Sequence, residues 1–186
     1  MKLDIEKFLF AYQQGEGISL NDHQRSGLND LLGFIDSDDL VTDPRHAAYM
    51  LATVRHECAN TWLPIAEHGK GQGRKYGSPD PVTGQTYYGR GYVQLTWRDN
   101  YAMFTKITGA DLLRNPDLAM RPDIAYRIMS HGMRKGTFTG VSLGTFIYDD
   151  HRDYHNARKI INGTDCAERI AGYAVVFEQV LREAAE

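Results

Sequence analysis

The chain has 186 residues, of which 42% are hydrophobic and 24% are charged, and its formal net charge at pH 7 is −3. This length and composition are typical of one globular domain that buries a core, and the weak negative charge does not indicate nucleic-acid binding. We therefore expect a single domain over residues 1–186, in which helices of residues 1–42 pack on a core formed by residues 43–186.

The termini and the cysteines limit the cellular context. Asp4 and Glu6 interrupt the apolar run that a signal peptide needs, and no window approaches 18 uncharged apolar residues. We therefore expect no transmembrane segment and a protein that is made and left in the cytoplasm. Cys58 and Cys166 form no CxxC pair, which favours two free thiols over a disulfide.

Apolar residues recur at helical spacing along most of the chain. Helices are predicted over residues 3–13, 19–35, 44–57, 123–134, 156–161 and 166–184. The seven glycines of residues 69–91 predict a loop with a hairpin turn near Thr83-Gly84, followed by a short strand and a helix that starts near Trp97. The fold is therefore predicted to be mainly α with a small β region.

The third helix carries the first candidate for catalysis. Asp43 is a suitable N-cap and Pro44 suits the first helical position. Glu57 follows Met50 by seven residues and Val54 by three, so it continues the apolar stripe of this helix. A carboxyl group there either meets a core partner or lies in a partly desolvated cleft, and the spacing leaves both open.

Several other chemistries lack their motif. His56-Glu57 begins like HExxH, but position 60 is asparagine, which excludes the zincin motif. The segment 149–155 is rich in Asp and His but matches no metal-ligand spacing, so we interpret it as a solvated loop and expect no metal and no cofactor. No GxSxG, P-loop or dinucleotide-binding motif occurs.

Two carboxylates in different surroundings fit a glycosidase better. An inverting enzyme needs a protonated acid and an ionised base about 6.5–9.5 Å apart, with a water between them. Glu57 on an apolar face suits the acid. Glu67, in a glycine-rich loop with Lys70 nearby, suits the base, although an ordinary surface acid is the alternative.

The order of motifs along the chain then resembles a known family. His56-Glu57-Cys58, Glu67, the run Tyr88 to Thr96 (YGRGYVQLT) and Ile160 to Gly163 (IING) resemble family 19 glycoside hydrolases, and most of all the single-domain phage endolysins of that family. The resemblance covers residues 42–182 and implies a lysozyme-like, two-lobed, mostly helical fold. Cys58 departs from the Thr or Ser that is common after the HE pair.

The resemblance also implies roles for individual residues. Glu57 matches the general acid, Glu67 lies where the family places its general base, and Thr96 matches the residue that helps to position the attacking water. Tyr88, Gln94 and Asn162 match positions that line the sugar groove, and His56, Arg90 and Trp97 are also predicted to bind the substrate. Two have a plainer alternative, because Arg90 could pair with an acid and Asn162-Gly163 could be a turn.

The function implied is hydrolysis of the β-1,4 bond between N-acetylmuramic acid and N-acetylglucosamine in peptidoglycan, with inversion. As an endolysin, the protein would be a monomer that acts on the periplasmic cell wall after a holin opens the inner membrane of the host. The alternatives are a chitinase acting on poly-N-acetylglucosamine, a lytic transglycosylase, and a non-catalytic cell-wall-binding module.

Overall fold

The computed structural model describes residues 1–186, and most of the chain is helical. The α-helices are α1 (Ile5–Glu16), α2 (Asp22–Ser37), α3 (Pro44–Glu57), α4 (Arg98–Thr108), α5 (Pro122–Lys135), α6 (Leu143–Phe146) and α7 (Ala167–Ala184). The strands are β1 (Ile65–Ala66), β2 (Arg90–Gly91), β3 (Ile147–Tyr148) and β4 (His151–Arg152). Three 3₁₀ helices cover Lys75–Gly77, Pro116–Met120 and Asn156–Ile160. This confirms the mainly α fold with a small β region.

The strands form two short antiparallel pairs. Ile65 of β1 pairs with Gly91 of β2, and Ile147 of β3 pairs with Arg152 of β4. The expected turn near Thr83-Gly84 is present, because the Gly84 N–H donates to the Asp80 carbonyl at 2.8 Å. The β3–β4 hairpin was not predicted; it lies partly inside the charged segment 149–155, where its exposed turn residues agree with a solvated loop.

The helix boundaries follow local capping chemistry. The Asp43 side chain accepts the Arg45 backbone N–H and Pro44 occupies the first turn, so α3 begins where the sequence predicts. α2 begins later than Ser19, because Asn21 and Gln24 form a capping box. None of the helices combines the length and the hydropathy that a membrane span requires.

Two contact units divide the chain: residues 1–62 with 130–186, and residues 63–129. We call them unit 1 and unit 2. In unit 1, α3 and α1 both pack on α7, and the chain ends meet in a bridge between Leu3 and Ala185. The helices of residues 1–42 therefore belong to the same unit as the C-terminal helix.

An aromatic cluster forms the part of the unit 1 core beside α1 and α7. The Phe177 ring lies 5.1 Å from Tyr12 and 5.7 Å from Trp62, measured between ring centroids. A stacked contact with Phe8, at 6.4 Å, completes the cluster, and all four side chains are buried. Such rings contribute large apolar areas as well as favourable edge-to-face geometry.

Replacing Phe177 by alanine should lower the free energy of unfolding by about 3–5 kcal/mol, because it leaves a cavity in this cluster. Urea denaturation followed by circular dichroism measures the change. The matched control is Val175→Ala on the same helix, where a half-exposed side chain should change the stability by less than about 0.5 kcal/mol. Equal losses in both variants would contradict this description of the core.

Candidate active site

The first group of candidate residues lies in unit 1, at the end of α3. Glu57 is the last residue of this helix, and its side chain is only 16% exposed. The C-terminus of a helix carries a partial negative charge, which disfavours a carboxylate there. A nearby cation compensates for the unfavourable interaction between the Glu57 carboxylate and the helix dipole.

Arg158 supplies that cation. Its Nη1 lies 2.5 Å from Glu57 Oε1, and its side chain is only 4% exposed. Its Nε donates to the Asp165 carbonyl at 3.0 Å, so the guanidinium also stabilises the turn that follows Asn162. The helical spacing left two surroundings open for Glu57, a core partner or a partly desolvated cleft. The structure shows the core partner, which is the buried Arg158.

The remaining predicted residues of unit 1 lie beside this pair in the chain. His56 is half-buried in the last turn of α3, and Asn162 is exposed. The Asn162 backbone N–H donates to the Arg158 carbonyl at 3.0 Å, so the turn that was the alternative for this residue is present. Its role in substrate binding stays a prediction.

Tyr49 is a further residue near this pair that the motifs did not indicate. It lies on α3, its ring stacks on Tyr154 at 5.8 Å, and its buried hydroxyl has no hydrogen-bond partner. Burial raises the pKa of the Tyr49 phenol; the charge of Arg158 opposes this effect and that of Glu57 adds to it. The phenol therefore stays protonated and keeps a donor available inside unit 1.

The second group lies in unit 2 around Glu67, the residue that follows β1. Its Oε1 accepts the Tyr76 hydroxyl at 2.9 Å and its Oε2 accepts the Gly89 N–H at 3.1 Å. The hydrogen bond to Glu67, followed by burial, raises the pKa of the Tyr76 phenol. Two neutral donors on one carboxyl group suit an ionised side chain, which only accepts hydrogen bonds.

The glycine between Tyr88 and Arg90 is required by this arrangement. A Cβ at Gly89 would lie 2.8 Å from Gln94 Oε1 and 3.4 Å from Glu67 Cβ. The Gln94 side-chain amide donates to the carbonyl of Ile65 in β1 and to the carbonyl of Gly91 in β2. These two hydrogen bonds link the strands. Gln94 therefore supports the Glu67 backbone from inside unit 2, and its own backbone adopts a positive φ of 54°.

Thr96 and Trp97 continue from Gln94. The Thr96 hydroxyl donates to the Gln94 carbonyl at 2.8 Å, which orients its lone pairs for a further donor such as water. Trp97 is 51% exposed, has a positive φ of 74°, and its ring lies edge-on to Tyr76 at 5.1 Å. An exposed indole held in a strained backbone is typical of a ligand-contacting position.

Tyr88 and Arg90 lie in the interior of unit 2. The Arg90 guanidinium stacks on the Tyr88 ring at 3.6 Å, and its Nε donates to Asp117 at 2.8 Å. It also donates to the Thr86 carbonyl and to the Tyr101 hydroxyl. The ion pair that was the alternative for Arg90 is therefore present, and these contacts hold the backbone that carries Gly89.

The sequence motifs did not identify two residues that contact the candidate catalytic carboxyl groups, Arg158 and Tyr76. Neither has a periodic or motif signal, because both lie in short 3₁₀ helices outside the quoted motifs. Segment 149–155 contacts the first group through Tyr154, which stacks on Tyr49. No cluster of three or more His, Cys, Asp or Glu side chains is arranged to hold a metal ion.

A double-mutant cycle tests the pair at the end of α3. Arg158→Met should lower the free energy of unfolding by about 2–4 kcal/mol, because it leaves Glu57 without a cation at a helix C-terminus. Combining it with Glu57→Gln should cost about 1–2 kcal/mol less than the sum of the single changes. Chemical denaturation measures all four proteins.

The exposed pair Arg25–Glu6, with an N–O distance of 2.5 Å, is the control for this cycle. Both of its side chains are largely solvated, so the same cycle there should give a coupling near zero. A coupling at Glu57–Arg158 no larger than at Arg25–Glu6 would contradict the structural role of Arg158.

Comparison with known proteins identifies the family of this chain. Residues 26–130, more than half of the chain, match the family model of glycoside hydrolase family 19, described as chitinase class I. An endochitinase of Arabidopsis thaliana is 36% identical over 127 residues, which are 66% of this chain and 41% of that protein. The inactive chitinase-like protein 1 of Hevea brasiliensis is 34% identical over 100 residues, or 46% of this chain and 32% of that protein.

The matched region spans only about a third of the length of its curated relatives. It covers 31% to 34% of three plant chitinases, from Vitis vinifera, Oryza sativa and Brassica napus. Among solved structures, chitinase C from Streptomyces griseus HUT6037 has a TM-score of 0.64 at 21% identity, and the match covers 97% of this chain and 76% of that one. This likeness confirms the fold that the motifs implied, whereas the relation to phage endolysins stays a prediction. The family model matches more than half of this chain, and the chain therefore belongs to glycoside hydrolase family 19.

Proposed function

We propose that the protein hydrolyses β-1,4 bonds in a polymer of N-acetylglucosamine, with inversion of configuration. The matching family model is described as chitinase class I, and one relative named above is an endochitinase, which supports chitin as the substrate over the peptidoglycan expected from the endolysin resemblance. The role in phage lysis, with a holin, stays a prediction from that resemblance.

The contrast between the two carboxyl groups carries the proposal. Glu57 receives the Arg158 hydrogen bond on Oε1, which leaves Oε2 as the oxygen to face the glycosidic bond. Glu67 accepts neutral donors on both oxygens, as an ionised base would. One proton donor and one ionised acceptor are what an inverting glycosidase requires.

In the reaction, Glu57 Oε2 protonates the glycosidic oxygen as the bond to the anomeric carbon breaks. A water attacks that carbon from the opposite face and transfers its proton to Glu67, with the Thr96 hydroxyl accepting a hydrogen bond from the same water. The products are a free hydroxyl on the leaving sugar and an α-configured reducing end on the other fragment.

Glu57→Gln and Glu67→Gln should each lower kcat on chitin hexamer by about 10²–10⁴-fold, because each removes a proton-transfer group. Chromatography of the products within minutes of mixing resolves the anomers, and the wild type should first release the α-anomer. Mass spectrometry of the fragments identifies the sugar at each new end, and an anhydro-sugar end would indicate a lytic transglycosylase instead.

The same measurement separates the enzyme from a binding module. A wild-type protein that pellets with chitin but releases no reducing ends would refute the proposed hydrolysis, as in a family member that has lost activity. Retention of near wild-type turnover by Glu57→Gln would instead refute the acid assignment while leaving the family assignment intact.

Tyr76→Phe tests whether the phenol positions Glu67. The substitution keeps the ring against Trp97 and removes only the hydroxyl that donates to Glu67. We expect kcat to fall about tenfold with KM nearly unchanged, which corresponds to one hydrogen bond to a charged group. Tyr148→Phe, at a half-exposed hairpin position, is the control and should keep wild-type kcat.

A further inference from the structure

The Tyr49 hydroxyl is a buried polar group of unit 1 that the proposed reaction does not use. The whole Tyr49 side chain is buried, and its hydroxyl has no hydrogen-bond partner. A buried hydroxyl without a partner lowers the stability of the fold, so phenylalanine would be the better residue here if packing alone mattered. The hydroxyl therefore requires an explanation other than packing.

The charged groups around this hydroxyl include the ion pair of the candidate acid. Tyr49 lies on α3, the helix that ends at Glu57, and its ring stacks on Tyr154. Burial is the main cause of the raised pKa of this phenol, and among the charges Arg158 acts on it most strongly, before Glu57 and Asp153. The hydroxyl therefore lies within electrostatic range of the guanidinium that pairs with Glu57.

This guanidinium can donate to a further acceptor. Arg158 donates from Nη1 to Glu57 and from Nε to the Asp165 carbonyl, which uses two of its five N–H groups. When Glu57 carries the proton that a general acid needs, its carboxyl group no longer compensates the charge of Arg158. A buried charge that has lost its partner is strongly unfavourable, and a neutral acceptor reduces that penalty. The protonated Tyr49 phenol has free lone pairs for this purpose.

We infer that Tyr49 is a positioning residue whose hydroxyl accepts a hydrogen bond from Arg158 when Glu57 is protonated. The inference rests on the proposed hydrolysis and adds a residue to it. The hydrogen bond stabilises the protonated form of the candidate acid relative to its ionised form. Because Tyr49 is buried, it acts through Arg158 and does not contact the substrate.

Other ionisable side chains also face this part of unit 1. A backbone hydrogen bond holds the pKa of the Asp153 carboxyl below its usual value. Tyr154 donates to Glu178 of α7, and His56 lies in the last turn of α3. All of these groups are the same in the wild type and in a Tyr49→Phe variant. A difference between the pH profiles of the two proteins therefore reports on the hydroxyl.

The test measures kcat/KM on chitin hexamer against pH for the wild type and Tyr49→Phe. Loss of the hydroxyl favours the ionised acid, so the alkaline limb of the profile should move to lower pH by about one unit. This shift is equivalent to about 1.4 kcal/mol, close to one hydrogen bond to a charged group. On the acidic side of the limb the two proteins should agree within about twofold, whereas on its alkaline side the variant should be about tenfold slower. Tyr148→Phe, at a half-exposed position, should keep the wild-type profile.

The melting temperature separates this role from a purely structural one. Tyr49→Phe should raise it by about 2–4 °C, because the substitution removes a buried hydroxyl without a partner. Tyr154→Phe, in the same ring stack, removes a hydroxyl that donates to Glu178 and should lower the melting temperature by about the same amount. A Tyr49→Phe protein with an unshifted alkaline limb would overturn the inference, whatever its melting temperature.

A titration without substrate separates this inference from the proposed function. Carbon-13 NMR follows the Glu57 carboxyl signal, which is assigned by its absence in Glu57→Gln, and its titration midpoint should be about one unit lower in Tyr49→Phe. Equal midpoints in a wild type that cleaves chitin hexamer would overturn the role of Tyr49 and leave the hydrolase in place. A lowered midpoint in a protein that cleaves no chitin would support the contact with Arg158 and refute the proposed hydrolysis.

Discussion

The buried ion pair between Arg158 and Glu57 is the interaction on which unit 1 depends most for its chemistry. α3 packs on α7 and ends in a carboxyl group, an arrangement that the helix dipole opposes. A guanidinium that is almost fully buried is itself unfavourable without an acceptor. Each group therefore requires the other, and the pair fixes one carboxyl oxygen while leaving the second available.

In unit 2, the candidate carboxylate lies at the start of a long loop and needs other contacts to hold it in place. Neutral donors do this, from the Tyr76 hydroxyl and the Gly89 N–H. The backbone at Gly89 is held in turn by the interior guanidinium of Arg90, whose contacts reach Tyr88 and Asp117. The YGRG motif is therefore explained by support of the Glu67 backbone.

The two carboxyl groups thus differ in their hydrogen-bond donors and in the net charge of the unit to which they belong. Unit 2 contains nine Lys and Arg residues and six Asp and Glu residues, a net charge of +3, although the whole chain carries −3. The acid candidate belongs to an acidic unit and has its own buried cation, whereas the base candidate belongs to a basic unit and has neutral donors. The proposed cleavage of a β-1,4 linkage rests on family membership and on these two carboxyl groups.

The sequence by itself determined the features that depend on residues three or four positions apart. The cap at Asp43 and the phase that places Glu57 on the inner face of α3 are of this kind, as are most helix boundaries. Only the tertiary structure decided the partners of the two glutamates. Arg158 is 101 residues from Glu57, and Tyr76 reaches Glu67 through a loop without periodicity. Such contacts depend on how distant segments pack against each other, and the spacing of neighbouring residues does not predict this packing.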